Sequence, residues 1–299
     1  MTLVSNPVQS LVELPVVALL RLPNKLTKLA ASIPQEIAYR SELAQYASQL
    51  PSLSSENLAI VNALETEGVF ATSLDALALP STAGMLRAAE GLIPGLPNVP
   101  SARSGFDVHA EQAEILKHPA LFQWGLEARL LDIAESYLKL PVAFNDIHLR
   151  KDFPNGVKAG SRRWHVDSYD HRILRIIIYL NDVDETGGPF QYISRRATKN
   201  IVPVLEQFGT LPDSMVGLMN PANFRSCTGP KGTVLFIATS RIIHRGKPPT
   251  ASDRTVLVFN YNSKRLKRPQ EGKPLTAGAD RLAIANFLSQ RQKQCLLWQ

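Results

Sequence analysis

Hydrophobic positions change period part-way along the chain. Before residue 140 they recur at helical spacing. Ile37, Ala38, Leu43, Ala44 and Ala47 predict a helix over 35–49, which Pro51 ends. Ser54 or Ser55 can cap a second helix over 56–66, and a third covers 82–90. Residues 91–105 are rich in Pro, Gly and Ser and read as a loop. From 119 to 138 an apolar stripe of Leu121, Trp124, Leu126, Leu130, Leu131 and Ala134 predicts one long helix, with Pro119 suited to its first turn.

After Pro141 short runs rich in β-branched and aromatic residues alternate with turn signals. Strands are predicted over 142–149, 163–166, 174–180, 190–193, 233–238, 242–244 and 255–261. Residues 194–229 interrupt that series and read as an insertion of the kind that forms a lid. Residues 279–297 read as an amphipathic helix. Helices first and strands afterwards, without βαβ alternation, predict an α+β fold rather than a doubly wound sheet. Antiparallel strands covered by helices fit a double-sheet jelly roll. The expected organisation is one domain over 1–299. A helical part, 1–140, packs on a core at 141–262 that carries the 194–229 insertion, and 263–299 form a helical extension.

Composition narrows the class. The 299 residues are 44% hydrophobic and 20% charged, ample for a core and unlike a disordered or fibrous chain. No apolar run reaches the roughly 18 residues of a membrane span. Residues 1–10 lack the Lys or Arg that opens a secretory signal. Cys227 and Cys295 are the two cysteines and have no CxxC spacing, which excludes a zinc ribbon or disulfide scaffold and suits a reducing cytoplasmic setting. A net charge of +7 favours acidic partners through steering. The basic run at 264–268 lacks interleaved aromatics, so no nucleic-acid partner is expected, and no membrane.

The candidate chemistry centres on 161–170, Ser-Arg-Arg-Trp-His-Val-Asp-Ser-Tyr-Asp. His165 and Asp167 stand two apart, and on a strand residues i and i+2 share a face. One more histidine would complete a two-His-one-carboxylate metal face. With six histidines in the chain an H-x-D triplet arises easily by chance, and its bland reading is a solvated turn. Two further residues follow in order. His244 comes shortly after 231–236, Lys-Gly-Thr-Val-Leu-Phe, and Arg254 ten residues later opens the last strand. On that strand Arg254, Val256, Val258 and Asn260 share one face, opposite Thr255, Leu257, Phe259 and Tyr261. The second face suits packing under helices, which turns Arg254 inward. A buried guanidinium without an anion is costly, and a ligand carboxylate held by two parallel hydrogen bonds answers that cost.

The ordered set His165, Asp167, His244 and Arg254 resembles the Fe(II)/2-oxoglutarate-dependent dioxygenases, and most of all their phytanoyl-CoA dioxygenase branch. Trp164, Tyr179-Leu180-Asn181-Asp182, Gly187-Gly188-Pro189-Phe190 and the run at 231–236 are similar too, so the resemblance spans about 141–262. It implies a double-stranded β-helix of cupin type, with His165, Asp167 and His244 holding Fe(II). It implies 2-oxoglutarate chelated to the metal, with its far carboxylate on Arg254, and O2 as oxidant. Succinate and CO2 are then released while a C–H bond of a small organic substrate, anionic if the basic cluster serves it, is hydroxylated, desaturated or closed into a ring. Related halogenases carry a small residue where Asp167 stands. Tyr179 and Arg175 share a strand face; if it is inward, Tyr179 can hydrogen-bond the co-substrate. Where the family continues Pro-Gly-Ser-His, this chain reads Ile193-Ser194-Arg195-Arg196, and the strand after Arg254 lacks the second arginine of the alkylated-nucleobase demethylases. Substrate contacts are expected among Arg163, Arg175, Arg195 and Arg196. The basic cluster of Arg162, Arg163, Arg172, Arg195, Arg196 and Lys199 is expected to flank the mouth, as a solvated face or as an attractor of anions. His109, His118, His148 and His171 are read as structural or surface residues. Two rival readings are a cupin-like binding protein without turnover and a metal-dependent hydrolase or isomerase. Arg254 counts against the second.

Overall fold

A computed structural model of the chain describes residues 22–199, 202, 209–276 and 278–298. It divides into two compact units, Met1–Gln49 and Leu50–Gln299. Among its described residues the first contains the helix Leu22–Tyr46, followed by a 3-10 turn at Ala47–Gln49. The predicted 35–49 helix is its second half, and Pro34 lies inside the helix rather than before it.

The second unit is built on two antiparallel sheets. The larger joins β1 (Val69–Ser73), β2 (Asp107–His109), β3 (Val142–Asp152), β5 (Ile173–Tyr179), β9 (Thr233–Ala238) and β11 (Arg254–Ser263), in the order β1-β9-β5-β11-β3-β2. The smaller joins β4 (Trp164–His165), β6 (Phe190–Ile193), β7 (Thr210–Leu211), β8 (Phe224–Cys227) and β10 (Ile243–Gly246), in the order β7-β4-β10-β6-β8. The long apolar strands β5, β9 and β11 sit centrally, where both faces are covered, and the short or polar strands take the edges.

The outer face of the larger sheet carries the main core. Leu174, Ile176 and Ile178 of β5 join Leu257, Phe259 and Tyr261 of β11 under Leu121, Trp124, Leu130 and Leu131 of the covering helices. Burying each such side chain is worth about 1.5–3 kcal/mol relative to leaving it in water. The helix backbone comes close to the sheet at Gly125, where an added Cβ would stand 2.7 Å from the rings of Phe144 and Phe259. The Gly125 carbonyl accepts the Tyr261 hydroxyl at 2.7 Å.

That contact explains one difference from expectation. The predicted 119–138 helix is two helices, Pro119–Gly125 and Ala128–Leu138. Glycine is a weak helix former, and the Gly125 carbonyl is turned to Tyr261 instead of to a following turn. The C-terminal helix is likewise two, Gly278–Ala285 and Gln290–Leu296. A capping box between Ser289 and Gln292 starts the second.

Strands β1, β2, β7 and β8 were not predicted. They are two to five residues long, too short for alternation to show. Two of them lie within the predicted insertion at 194–229, where β7 pairs with β4 and β8 with β6. That segment therefore contributes strands to the smaller sheet. Its residues 200–201 and 203–208 lie outside the described residues. No helix among the described residues is long and apolar enough to cross a membrane.

Candidate metal centre

Register builds the site. In the smaller sheet His244 of β10 lies directly opposite His165 of β4, so both imidazoles leave the same face, with ring centroids 4.2 Å apart. Asp167 stands just past the end of β4. Its backbone N–H donates to the Thr239 carbonyl at 3.2 Å. Contacts from distant parts of the chain hold this segment: Asp170 accepts from the Ser263 backbone N–H and hydroxyl at 2.7 and 2.8 Å, and Arg268 donates to the Ser168 hydroxyl at 2.9 Å. The result is that one ligand atom from each of His165, Asp167 and His244 lies within 4.8 Å of the other two.

The protonation states suit a metal. Nδ1 of His165 is 2.8 Å from the Arg163 carbonyl, and Nδ1 of His244 is 3.2 Å from the Ile242 carbonyl. A carbonyl only accepts, so both Nδ1 atoms carry a proton, and in the neutral ring that leaves the Nε2 lone pair for a metal. Burial, reinforced by His165, pushes His244 down to about 3 and keeps it neutral. Burial alone would raise the Asp167 carboxyl, but the Arg175 guanidinium 2.8 Å away, with the two histidines, brings it down to about 2. Neutral imidazoles and an ionised carboxylate are the forms that bind a cation. The donor set fits a metal ion.

A cavity of about 80 Å³ opens beside the three residues, walled by Ile177, Val256 and Val258 of the larger sheet and by His244 and Gly246 of the smaller. A larger hollow of about 700 Å³, beside Leu266, Leu282 and Trp298, contains none of the triad.

Arg254 is buried and lines the same cavity. It lies opposite Asp152 of β3, and its Nη2 is 2.8 Å from Asp152 Oδ2. Its Nη1 donates to the Gly188 carbonyl. Gly246 makes room for it, since a Cβ there would stand 2.7 Å from Nη2. The ligand carboxylate expected as the anion for Arg254 is thus not its sole answer, because the protein provides Asp152. Asp152, fully buried, also meets Nη2 of Arg150 at 2.5 Å and Nε of Arg162 at 3.3 Å. Burial would raise its carboxyl, yet Arg150 and Arg254 hold it well below the usual range. Asp107 takes Nε of Arg150 at 3.1 Å. Three guanidinia face two carboxylates, so this cluster keeps one positive charge in excess. The Arg254 Nε is buried with no hydrogen-bond partner among the described residues.

No protein-family model matches the chain, and no curated protein matches it. Solved structures do. EctD from S. alaskensis in its apo form is 18% identical, with a TM-score of 0.53 over 83% of this chain and 87% of that one. The same protein with bound Fe is 19% identical, with a TM-score of 0.51 over 73% and 80%. The non-heme alpha ketoglutarate dependent carbocyclase SnoK from nogalamycin biosynthesis is 18% identical, with a TM-score of 0.50 over 76% and 94%. The chain has the double-stranded β-helix fold of these enzymes.

Within that fold the remaining expected residues separate. Tyr179 lines the cavity, but its hydroxyl donates to the Cys227 carbonyl at 2.7 Å and accepts from the Phe190 N–H at 3.1 Å. Its one donor is engaged, so it has none for a co-substrate. Of the four expected substrate residues, Arg175 alone lines the cavity, and there it is ion-paired with Asp167. Arg163 is exposed, with Nε on the Lys158 carbonyl at 3.2 Å. Arg196 is exposed, and Arg195 donates to the Glu65 carbonyl at 2.7 Å. The basic cluster is not one surface. Arg162 is fully buried and donates to the Phe106 and Phe153 carbonyls at 2.9 Å each, while Arg172 pairs with Glu65. Arg162, Arg163, Arg172 and Arg195 leave the mouth because each finds a backbone or carboxylate partner elsewhere.

Sequence reasoning missed Asp152, Arg150 and Gly246. A signal existed on β3, where His148, Arg150 and Asp152 alternate and lie opposite Val258, Val256 and Arg254. A strand with that much charge on its inner face is unusual. His148 belongs to this face too: burial, with His109 and Arg175, pushes it down to about 3, and its ring lies edge-on to His109 at 5.8 Å.

Proposed function

We propose that the chain is an Fe(II)- and 2-oxoglutarate-dependent oxygenase that oxidises a C–H bond of a small organic molecule and releases succinate and CO2. The observation that carries this reading is the pairing of three converging ligand atoms with a cavity lined by that excess positive charge. His165 and His244, through Nε2, and Asp167 would hold the iron, which when bound supplies activation of O2. Arg254 receives the far carboxylate of 2-oxoglutarate, with its unpartnered Nε and the surplus charge of Arg150 as the attraction. Ile177, Val256 and Val258 make the wall apolar and exclude water. EctD with 2-oxoglutarate and 5-hydroxyectoine supports the choice of co-substrate and a small-molecule substrate. The ordered motifs from Trp164 to Arg254 favour the phytanoyl-CoA dioxygenase branch. An anionic substrate has lost its support, since Arg163, Arg195 and Arg196 do not reach the cavity.

Anaerobic Fe(II) plus 2-oxoglutarate should produce a weak visible charge-transfer band, and succinate release should respond to a metabolite library. Folded protein that shows neither refutes the assignment. The band without succinate release favours the binding-protein reading.

A further inference from the structure

Arg175 is a charge in the middle of a buried apolar strand. β5 reads Ile-Leu-Arg-Ile-Ile-Ile-Tyr and is paired on both sides, so Arg175 lies between Asn260 of β11 and Ile237 of β9. Nothing in the packing of that strand asks for a guanidinium. A leucine or isoleucine would fill the position without the cost of desolvating a cation. Its contacts point in one direction, to the segment that follows β4. Nη2 is 2.8 Å from Asp167 Oδ2.

The two oxygens of Asp167 therefore differ. Oδ1 stands 3.8 Å from Nε2 of His165, on the side of the metal ligands, and Oδ2 is held by Arg175. The loop that carries Asp167 is irregular, whereas Arg175 is fixed by a central strand. Orientation thus passes from the strand to the loop.

We propose that Arg175 is a positioning residue that holds Oδ2 of Asp167, so that the carboxylate offers a metal ion one oxygen and not two. This rests on the metal-site reading above. The consequence is a count of open positions. A metal ion held by one donor atom from each of the three residues would keep open positions for a 2-oxo acid and for the oxidant. A carboxylate that bound through both oxygens would remove one of them.

The test uses the full chain, with Fe(II) under anaerobic conditions and Co(II) as probes. Infrared difference spectra, metal-bound minus metal-free, with carboxyl-13C-labelled aspartate, read the gap between the antisymmetric and symmetric carboxylate stretches. The gap is wide when one oxygen binds and narrow when both do. The wild-type gap should be wide. Arg175→Met should narrow it and weaken metal binding by ~10–100-fold, the usual effect of losing a group that orients a ligand. Arg175→Lys should restore the wide gap and most of the affinity, because an ammonium can still hold Oδ2. A narrow wild-type gap overturns the proposal, as does Arg175→Met with unchanged gap and affinity. Should Arg175→Met fail to fold, the wild-type spectrum and Arg175→Lys decide the matter. The two levels separate cleanly. Wild-type protein that takes up no Fe(II), or His244→Ala that binds it equally well, defeats the reading of the site. Binding that depends on His244 but ignores Arg175 defeats only the role of Arg175.

Discussion

Two carboxylates at one cavity are treated in opposite ways: Asp152 lines it, and Asp167 joins the ligand set beside it. Asp152 is fully buried and meets three guanidinia, from Arg150, Arg162 and Arg254. Asp167 meets one, from Arg175, and turns its other oxygen toward two imidazoles whose Nε2 atoms are free. Both groups are ionised, and in both the cause is a neighbouring cation that outweighs desolvation. The difference is in what is left over. At Asp152 the cations exceed the local carboxylates, so the surplus is positive charge suited to an anion. At Asp167 the surplus is lone pairs suited to a cation. A carboxylate saturated with donors organises the protein, and one with spare acceptor capacity can act on something else.

The comparison can be broken by mutation. His165→Ala or Asp167→Ala should cost the most in function, abolishing turnover and lowering Fe(II) affinity by more than the ~10–100-fold expected for an orienting partner. The circular dichroism spectrum should stay that of the wild type. Retained turnover would remove the metal from its assigned place. Asp152→Asn should do the opposite, leaving three guanidinia facing a neutral amide. Breaking such a buried cluster costs about 3–5 kcal/mol, measurable as a lower denaturation midpoint in urea, and a change below 1 kcal/mol would show that the cluster is not structural. Arg254→Ala should raise the 2-oxoglutarate requirement by ~10–100-fold, the worth of a hydrogen bond to a charged group. An unchanged requirement would transfer the role to Arg150.

Acid should separate the two sites as well. His244 and His148 are held near 3 in the folded chain, below the usual histidine range, so the unfolded chain takes up protons first as pH falls. Stability of the metal-free protein should therefore decline as pH is lowered through about 6.5 and continue to decline toward about 3. Urea titrations at several pH values would detect it, and a flat profile would mean that neither histidine is buried in the neutral form. The smallest effect belongs to Tyr179→Phe. It removes a hydroxyl that bonds only to backbone, so it should cost about 0.5–1.5 kcal/mol of stability and leave the 2-oxoglutarate requirement unchanged. A raised requirement would mean that the hydroxyl turns into the cavity during binding.

Much of this was legible in residue order. The alternation on β11 placed Arg254, Val256 and Val258 on one face and Leu257, Phe259 and Tyr261 on the other, and the structure distributes them between cavity and core in that way. Alternation works there because a central strand is buried on both faces, so each face states its environment. It failed for β7 and β8, which are held by pairing with β4 and β6 rather than by any pattern of their own. Arginines were the other failure. Arg162, Arg163, Arg172 and Arg195 are close in sequence, but a long side chain reaches several ångströms in any direction: Arg162 turns inward to the Phe106 and Phe153 carbonyls, Arg163 to Lys158, and Arg172 and Arg195 to Glu65.

What the sequence determined by itself was therefore periodicity and order: helices before strands, an inner and an outer face, and the succession His165, Asp167, His244, Arg254. Only tertiary structure decided the partners. That Asp152 neutralises Arg254, that Arg175 holds Asp167 and that Tyr179 bonds to Cys227 all depend on contacts across at least eight residues, and most across tens of residues. Periodicity is local, because it follows from the geometry of one strand or helix. Electrostatic pairing is not, because a buried charge takes whichever opposite charge the fold brings near.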